Sequence, residues 1–282
     1  MRRPDVPAPA DRAGRQGEPP PAPEPLAVPV ADTHCHLDLG VPDVAAQVEA
    51  ARAVGVDTIV QVGIDVPSSV LSARIAAAHP AVWAAVAIHP NEAGRGASTA
   101  DALAEIAGLA RLPRVVAVGE TGLDHFRTGP DGHRWQEESF RAHIAIAKQA
   151  GKALIIHDRD AHDDVLRILA EEGAPDCTVF HCYSGDAAMA QVCAAAGYYL
   201  SFAGPLTFKP NNALRDAAGR CPADRLLVET DAPFLTPAPH RGRPNASYLM
   251  PLTVRALARV RGTDVDQLCG QLAANTRAAF QL

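Results

Sequence analysis

Short apolar, β-branched segments alternate with longer stretches rich in Ala, Leu, Arg and Glu along most of the chain. The short segments have the length and composition of buried strands, and the longer ones are typical of helices. From Val30 onward the pattern contains eight strand-like segments. The predicted strands are Val30–Cys35, Thr58–Val62, Trp83–Ile88, Val115–Gly119, Ala153–His157, Thr178–His181, Tyr198–Phe202 and Leu226–Glu229.

Helical stretches lie between these strands and after the last one. The predicted helices are Asp43–Val54, Asp101–Arg111, Gln136–Ala150, Asp163–Glu172, Ala187–Ala196, Asn212–Ala218, Leu249–Arg261 and Val265–Phe280. Strands that alternate with helices are expected to pair in parallel, because parallel strands need a crossover connection. Eight such units predict an α/β fold, a (β/α)₈ TIM barrel. A doubly wound open sheet is the alternative.

Residues 1–29 have a different composition from the rest of the chain. Nine of the 24 prolines lie there, among Ala, Glu, Arg and Gly. Such a segment buries too little apolar surface to offset the entropy lost on ordering. We therefore expect a disordered extension over residues 1–29 and a single hydrolase barrel over residues 30–282.

Composition narrows the class of protein further. The length of 282 residues suits one barrel of about 250 residues plus an extension. The formal net charge of -6 argues against a broad basic surface for nucleic acid. It does not exclude an enzyme that contacts a few phosphates locally. No CxxC pair occurs among the six cysteines, and no apolar run is long enough for a membrane span. We expect a cytoplasmic monomer with reduced thiols and no membrane partner.

Ionisable residues stand at the carboxyl ends of the predicted strands. Residues i and i+2 of a strand point to the same face, so His34 and His36 are expected to point together. The carboxyl ends of parallel strands share one rim, where barrel enzymes place their active sites. The six residues expected to meet there are His34, His36, Glu120, His157, His181 and Asp231.

Four imidazoles and two carboxylates exceed the needs of one tetrahedral zinc ion. They suit two divalent cations about 3.5–4 Å apart that share a carboxylate. This set of ligands is compatible with Mg, Mn or Zn, and it does not identify the metal. Such ions lower the pKa of bound water, and a carboxylate then accepts the proton during hydrolysis. Asp231 is the candidate for that proton acceptor.

Five motifs resemble those of the TatD family of metal-dependent deoxyribonucleases, which belong to the amidohydrolase-type metal barrels. In chain order they are Asp32-Thr33-His34-Cys35-His36-Leu37, Gly119-Glu120-Thr121-Gly122-Leu123-Asp124, His157-Asp158-Arg159-Asp160-Ala161, His181-Cys182-Tyr183-Ser184-Gly185 and Glu229-Thr230-Asp231-Ala232-Pro233-Phe234-Leu235. The resemblance runs from about Val30 to Phe280 and covers nearly the whole predicted barrel.

The resemblance implies a division of the ligands between two metals. His34, His36, Glu120 and Asp231 would bind one ion. Glu120 would bridge to a second ion held by His157 and His181, and it would act with Asp231 in catalysis. It also implies hydrolysis of DNA, often by 3′–5′ exonuclease action on a substrate that we expect to be single-stranded, with Mg or Mn supporting turnover.

Candidates for substrate binding lie around this predicted metal site. Arg159 follows His157 by two residues and could clamp a phosphate, as could Arg241. His89 ends the third predicted strand, and Asn245 lies in a late motif. The sequence departs from the family at Asn91, where a second His is common.

The late family motif Arg-Gly-x-x-Asn-Glu-Pro is also incomplete in this chain. It reads Arg241-Gly242-Arg243-Pro244-Asn245-Ala246-Ser247, so the Glu and the Pro are missing.

Three hypotheses for function follow. The leading one is a two-metal phosphodiesterase that acts on DNA. The second is a metal-dependent ester, lactone or amide hydrolase with another substrate, which a hydrophobic pocket without phosphate contacts would favour. The third is a metal-binding protein without catalysis, and the complete predicted set of ligands argues against it.

Overall fold

Eight parallel strands form one sheet in the computed structural model, which describes residues 17–39 and 43–282. Each strand pairs with the next one along the chain, in the order β1 to β8. The strands are β1 (Val30–Cys35), β2 (Val56–Val62), β3 (Val82–Val86), β4 (Val115–Asp124), β5 (Ala153–Arg159), β6 (Thr178–Phe180), β7 (Tyr199–Phe202) and β8 (Leu226–Val228).

Helices connect the strands and surround the sheet. They are α1 (Val44–Arg52), α2 (Val66–Ala78), α3 (Pro90–Ala93), α4 (Ala100–Leu109), α5 (Pro130–Ala150), α6 (His162–Glu172), α7 (Ala187–Ala195), α8 (Asn212–Arg220), α9 (Met250–Arg261) and α10 (Val265–Phe280). The prediction missed α2 and α3. Helix α2 has a start signal, since the Asp65 carboxylate accepts the N–H of Ser68 and the Ser68 hydroxyl accepts the N–H of Asp65.

The sheet closes on itself between β8 and β1. The Thr33 hydroxyl donates to the carbonyl of Val228 at 2.9 Å. Beyond β8, the N–H of Thr230 donates to the buried Asp32 carboxylate at 2.9 Å, and the N–H of Asp231 donates to the carbonyl of His34 at 2.9 Å. The predicted (β/α)₈ barrel is therefore confirmed, and the open-sheet alternative is wrong.

Successive residues of a strand point to opposite faces of the sheet, so the buried apolar residues form two separate clusters. The larger one lies between the sheet and the helices. The smaller one contains Val60, Ala85, Ile155, Val179 and Leu227, which come from five different strands. In β5 and β6 these residues share their strand face with His157 and His181, which lie two residues further on. The smaller cluster thus fills the barrel interior beneath the predicted site.

Part of the N-terminal extension packs on the barrel, contrary to the expected disorder over residues 1–29. Arg243 donates to the carbonyls of Glu18 and Pro19, and the Tyr248 hydroxyl donates to that of Pro20. Leu26 is buried, and its N–H donates to the carbonyl of Val54 at 3.0 Å. Prolines cost little entropy to fix and leave their carbonyls free as acceptors, which accounts for the difference.

We call residues 17–29 the strap. The first 16 residues of the expected extension lie outside the described residues. Among the described helices, none combines the length and the apolar character that a bilayer crossing needs.

Candidate metal centre

Glu120 lies at the centre of the six predicted ligands, and its two carboxylate oxygens face different imidazoles. Its Oε1 lies 3.5 Å from Nε2 of His34 and 3.5 Å from Nε2 of His36. Its Oε2 lies 3.1 Å from Nδ1 of His157 and 2.9 Å from Nε2 of His181. The carboxylate therefore stands between two histidine pairs, which is the position of a bridging ligand.

Asp231 completes the group on the side of His34 and His36. Its Oδ1 lies 3.9 Å from Nε2 of His34 and 3.7 Å from Nε2 of His36. The Asp231 side chain is 14% exposed, whereas that of Glu120 is 5% exposed. Asp231 is thus the carboxylate of the group that solvent reaches more readily.

The backbone at the site adopts conformations that fix the side chains. Asp231 has a φ of 53°, a left-handed conformation that is uncommon for a residue with a Cβ atom and costs free energy. At Gly122, a Cβ atom would lie 2.1 Å from the carbonyl oxygen of His157. Only glycine therefore fits the close approach of β4 to β5 beside the predicted ligand His157.

Burial and charge oppose each other within the group. Burial disfavours ionised Glu120, but the neighbouring imidazoles hold its pKa well below the usual range. Burial also disfavours protonated His181, but Glu120 and Glu229 hold its pKa well above the usual range. Burial dominates elsewhere: it lowers the pKa of His34 to about 4 and raises that of Asp231 to about 7. Glu120 thus stays ionised because imidazoles surround it, whereas burial favours the protonated form of Asp231.

The unpartnered nitrogens of His34 fit a cation. His34 is buried, and neither of its ring nitrogens has a hydrogen-bond partner among the described residues. A buried polar atom without a partner is costly, and a metal ion would supply the missing partner. Donor atoms from three sets lie within 4.8 Å of one another: His34, His36 and Glu120; His34, His181 and Asp231; and His89, Glu120 and His157.

Neighbouring acceptors orient three of the histidines for binding a cation. Nδ1 of His36 lies 3.0 Å from the carbonyl of Val62, and Nδ1 of His181 lies 3.1 Å from Glu229. If these nitrogens donate their protons, each ring directs its Nε2 lone pair toward Glu120. Nε2 of His157 similarly lies 3.2 Å from the carboxylate of Asp124. Such partners fix the tautomer and orientation of metal-binding imidazoles.

The sequence prediction assigned no role to Asp124 or Glu229. Both were detectable, because Asp124 stands at i+4 from Glu120 and Glu229 at i−2 from Asp231. Both carboxylates lie in the motifs that contain the predicted ligands, so they were candidates to support those ligands. The same spacing relates Asp32 to His34, and Asp32 joins β1 to the segment after β8.

His89 lies beside the group in a different hydrogen-bonding state. Its Nδ1 accepts the N–H of Asn91 at 3.0 Å, and its Nε2 lies 3.6 Å from Glu120 Oε2. Burial lowers the pKa of His89 to about 3, so the ring is neutral. Because the Nδ1 lone pair is occupied, the proton of the neutral ring is on Nε2. His89 therefore offers a hydrogen-bond donor rather than a lone pair for a metal.

The two predicted phosphate-binding arginines each lie over an aromatic ring. The guanidinium of Arg159 lies 4.5 Å from the ring centroid of Phe126. That of Arg241 lies 4.1 Å from the ring of Phe208, beside a cavity of about 360 Å³. Neither arginine has a side-chain hydrogen bond within the part of the chain that the structure describes, so their N–H donors are available.

Asn245, which was predicted to bind substrate, braces the backbone of the segment after β8 in this structure. It is buried, and its Nδ2 donates to the carbonyls of Thr230 and Phe234 at 2.9 and 2.6 Å. Its Oδ1 accepts the N–H of Ala246. All hydrogen bonds of the amide group are thus made within the segment after β8. They hold the backbone at Thr230 and Phe234, on either side of Asp231.

A closed parallel barrel with clustered imidazoles and carboxylates at the carboxyl ends of its strands defines a metal-dependent hydrolase of the metal-barrel class. The sequence pattern described as "TatD related DNase" matches residues 31–281. The chain therefore belongs to the TatD-related DNase family. This membership confirms both the resemblance and the predicted enzyme class, a metal-dependent hydrolase.

Individual relatives match over most of their length. The chain is 45% identical over 261 residues to an uncharacterized metal-dependent hydrolase TatD of Mycobacterium tuberculosis, covering 90% of this chain and 98% of that protein. It is 35% identical to a 3'-5' ssDNA/RNA exonuclease TatD of Klebsiella pneumoniae, covering 83% of this chain and 90% of that protein. The crystal structure of YJJV, a TatD homologue from Escherichia coli, superposes with a TM-score of 0.85 at 27% identity, covering 90% and 98%.

Proposed function

We propose that this protein is a two-metal phosphodiesterase that removes nucleotides from the 3′ end of single-stranded DNA. The observation that carries the proposal is the position of Glu120 between two histidine pairs, because a carboxylate with one oxygen toward each pair suits two cations. The name of the Klebsiella pneumoniae relative, a 3'-5' ssDNA/RNA exonuclease, supports the choice of substrate and direction.

The residues divide between the two proposed sites as follows. His34, His36, Glu120 and Asp231 would hold one ion, and Glu120, His157 and His181 the other. Mg, Mn or Zn are candidates for these ions. When bound, divalent cations lower the pKa of water and stabilise the charge that develops on the phosphate.

Asp231 is the proposed proton acceptor for the attacking water. It lies within the group but is more exposed than Glu120, so an incoming water can reach its carboxylate. Glu120, which is buried among four imidazoles, stays ionised and holds the group together. These different surroundings assign the two carboxylates to different tasks.

His89 and Arg159 are the proposed contacts to the phosphate. The Nε2 proton of His89 points toward the group and can be donated to a phosphate oxygen. Arg159 follows His157 by two residues, and its guanidinium can donate to the same phosphate or to the next one. Arg241 lies on the segment after β8 and is proposed to contact the substrate from there.

A nuclease assay tests this proposal. Metal-stripped protein receives a single-stranded oligonucleotide labelled at the 3′ or the 5′ end, with Mg, Mn or Zn, and the protein-bound metal is counted. Glu120→Gln should abolish cleavage. The control is Glu138→Gln, because Glu138 is an exposed residue of α5 that pairs with Arg134, and its replacement should leave the rate unchanged.

The outcomes separate the alternatives. Metal-dependent shortening from the 3′ end by the wild type and the control supports the proposal. No cleavage by protein that holds two ions per chain would contradict it and favour an ester, lactone or amide substrate. One bound ion with full activity would contradict the two-metal mechanism.

A further inference from the structure

A large aromatic ring is exposed next to the metal centre. Phe126 is 63% exposed, the highest value among the exposed large hydrophobic residues of the described chain. It stands two residues after Asp124, whose carboxylate lies 3.2 Å from the ring of the ligand His157. An exposed phenyl ring contributes little to the core, and its contact with Arg159 places it beside a residue that we propose to bind phosphate.

The backbone that carries Phe126 is firmly held. Strands β4 and β5 remain paired up to Asp124 and Arg159, and the N–H of His125 then donates to the carbonyl of Arg159 at 3.0 Å. Phe126 therefore directly follows the residues through which β4 is hydrogen-bonded to β5. This pairing fixes the backbone next to Phe126 relative to His157, which lies in the same strand as Arg159.

Arg159 connects the ring to the phosphate-binding region. Its guanidinium lies 4.5 Å from the Phe126 ring centroid and keeps its N–H donors free within the described residues. An aromatic face beside an available guanidinium matches the chemistry of a nucleotide, which has a flat base next to an anionic phosphate. A simple phosphate ester would use the guanidinium but not the ring.

We propose that Phe126 is the platform on which the substrate stacks a base near the scissile phosphate, with Arg159 holding the adjoining phosphate. This inference rests on the proposed nuclease function and adds a determinant of substrate choice. Bases of a duplex are stacked within the helix, whereas a single strand can present a base face to the ring. The platform thus selects unpaired nucleic acid with little preference among the bases.

The test compares Phe126→Ala, Phe126→Trp and Leu112→Ala in protein loaded with metal. Leu112 is 42% exposed and precedes β4, so it provides an exposed apolar control at the other end of the barrel. The substrates are one single-stranded oligonucleotide and versions of it with a single abasic residue at each of the last four positions. Steady-state rates and binding, measured by fluorescence anisotropy of a labelled strand, are recorded for each.

Loss of one stack should reduce kcat/KM and affinity about tenfold in Phe126→Ala, while Phe126→Trp and Leu112→Ala remain near wild type. The abasic substrates show whether the loss in Phe126→Ala is caused by the lost stacking of a base. At one position, removal of the base should slow the wild type about tenfold and should not slow Phe126→Ala further, because the same contact has already been lost.

Other results would overturn the inference. An unchanged Phe126→Ala protein would do so, and so would a Phe126→Ala loss that adds fully to the abasic loss at every position. Both results bear on the inference only if the wild type cleaves the intact strand. A wild type that does not cleave it would refute the nuclease function itself, so the two failures can be distinguished.

Discussion

The two ends of the barrel use the same pair of groups, an arginine over an aromatic ring, in different ways. At the amino ends of the strands, which we call the base, Arg114 lies 3.6 Å from the ring of Trp83. Its N–H groups also donate to the carbonyls of Pro80 and Val82. At the carboxyl ends, the mouth, Arg159 lies over the exposed ring of Phe126 without a side-chain hydrogen bond among the described residues.

The difference indicates how the same kind of contact can stabilise the fold at one end and, as we propose, bind substrate at the other. At the base the guanidinium ties together the segments before β3 and β4. At the mouth the N–H donors of the Arg159 guanidinium remain available, and the nearby group combines buried imidazoles with buried carboxylates. A barrel generally separates stability and activity in this way, between the amino and the carboxyl ends of its strands.

The largest expected effect comes from replacing the proton acceptor at the mouth. Asp231→Asn should lower kcat by about 10³-fold, the range typical of general acid–base groups, while the thermal transition stays cooperative. The matched control is Asp224→Asn at the base, since Asp224 precedes β8, is 67% exposed and should be neutral for kcat. Full activity of Asp231→Asn would refute its assigned role.

Metal addition should stabilise the protein through the mouth alone. At a free ion concentration of 100 times Kd, each filled site should add about 3 kcal/mol to the free energy of unfolding. Differential scanning calorimetry of stripped protein with and without Mn measures this gain. It should fall sharply in His34→Ala and persist in His79→Ala, which changes a histidine at the base end of α2. Equal gains in both variants would contradict the assigned site.

Replacing each of the two arginines with alanine tests the comparison directly. Arg114→Ala should lower the free energy of unfolding by about 2 kcal/mol, from lost hydrogen bonds and the lost contact with Trp83, and leave kcat/KM unchanged. Arg159→Ala should lower kcat/KM about tenfold and change stability by less than about 0.5 kcal/mol. Urea unfolding and steady-state kinetics on both proteins decide the matter, and a reversed pattern would refute the division of roles.

The smallest expected effect concerns the strap. Tyr248→Phe removes the hydrogen bond to the carbonyl of Pro20 and should cost about 1 kcal/mol of stability, with kcat/KM unchanged. Tyr198→Phe is the control, because the Tyr198 hydroxyl has no hydrogen bond within the described chain. Equal stability of the two variants in urea unfolding would mean that the strap contact contributes nothing.

Much of the fold followed from the sequence because strand periodicity and parallel pairing are local rules. The β1 bounds and the convergence of His34 and His36 needed only the two-residue period of a strand. Strand β4 was predicted to end at Gly119 but continues to Asp124, since its register with β5 shifts between Val118 and Thr121. Such an irregularity cannot be read from the alternation of residues.

Other features depended on tertiary contacts. Helix α2 was missed because Ala and Ser occupy most of its faces and leave no clear apolar stripe. The contact of Arg159 with Phe126 joins two strands, so neither motif alone indicated it. The bracing role of Asn245 depends on carbonyl groups that only the folded segment brings near.

The strap determines where attachments to the chain would be located. Glu18 lies against Arg243, on the segment that follows β8 at the mouth, whereas Leu26 bonds to Val54, just before β2 at the base. The strap therefore runs along the outside from one end of the barrel to the other. Leu282 packs against the interior cluster, as Trp83 does at the base. A dye or surface anchor joined just before Gly17 would thus lie beside the segment that follows β8, and one joined at Leu282 would lie at the opposite end of the barrel.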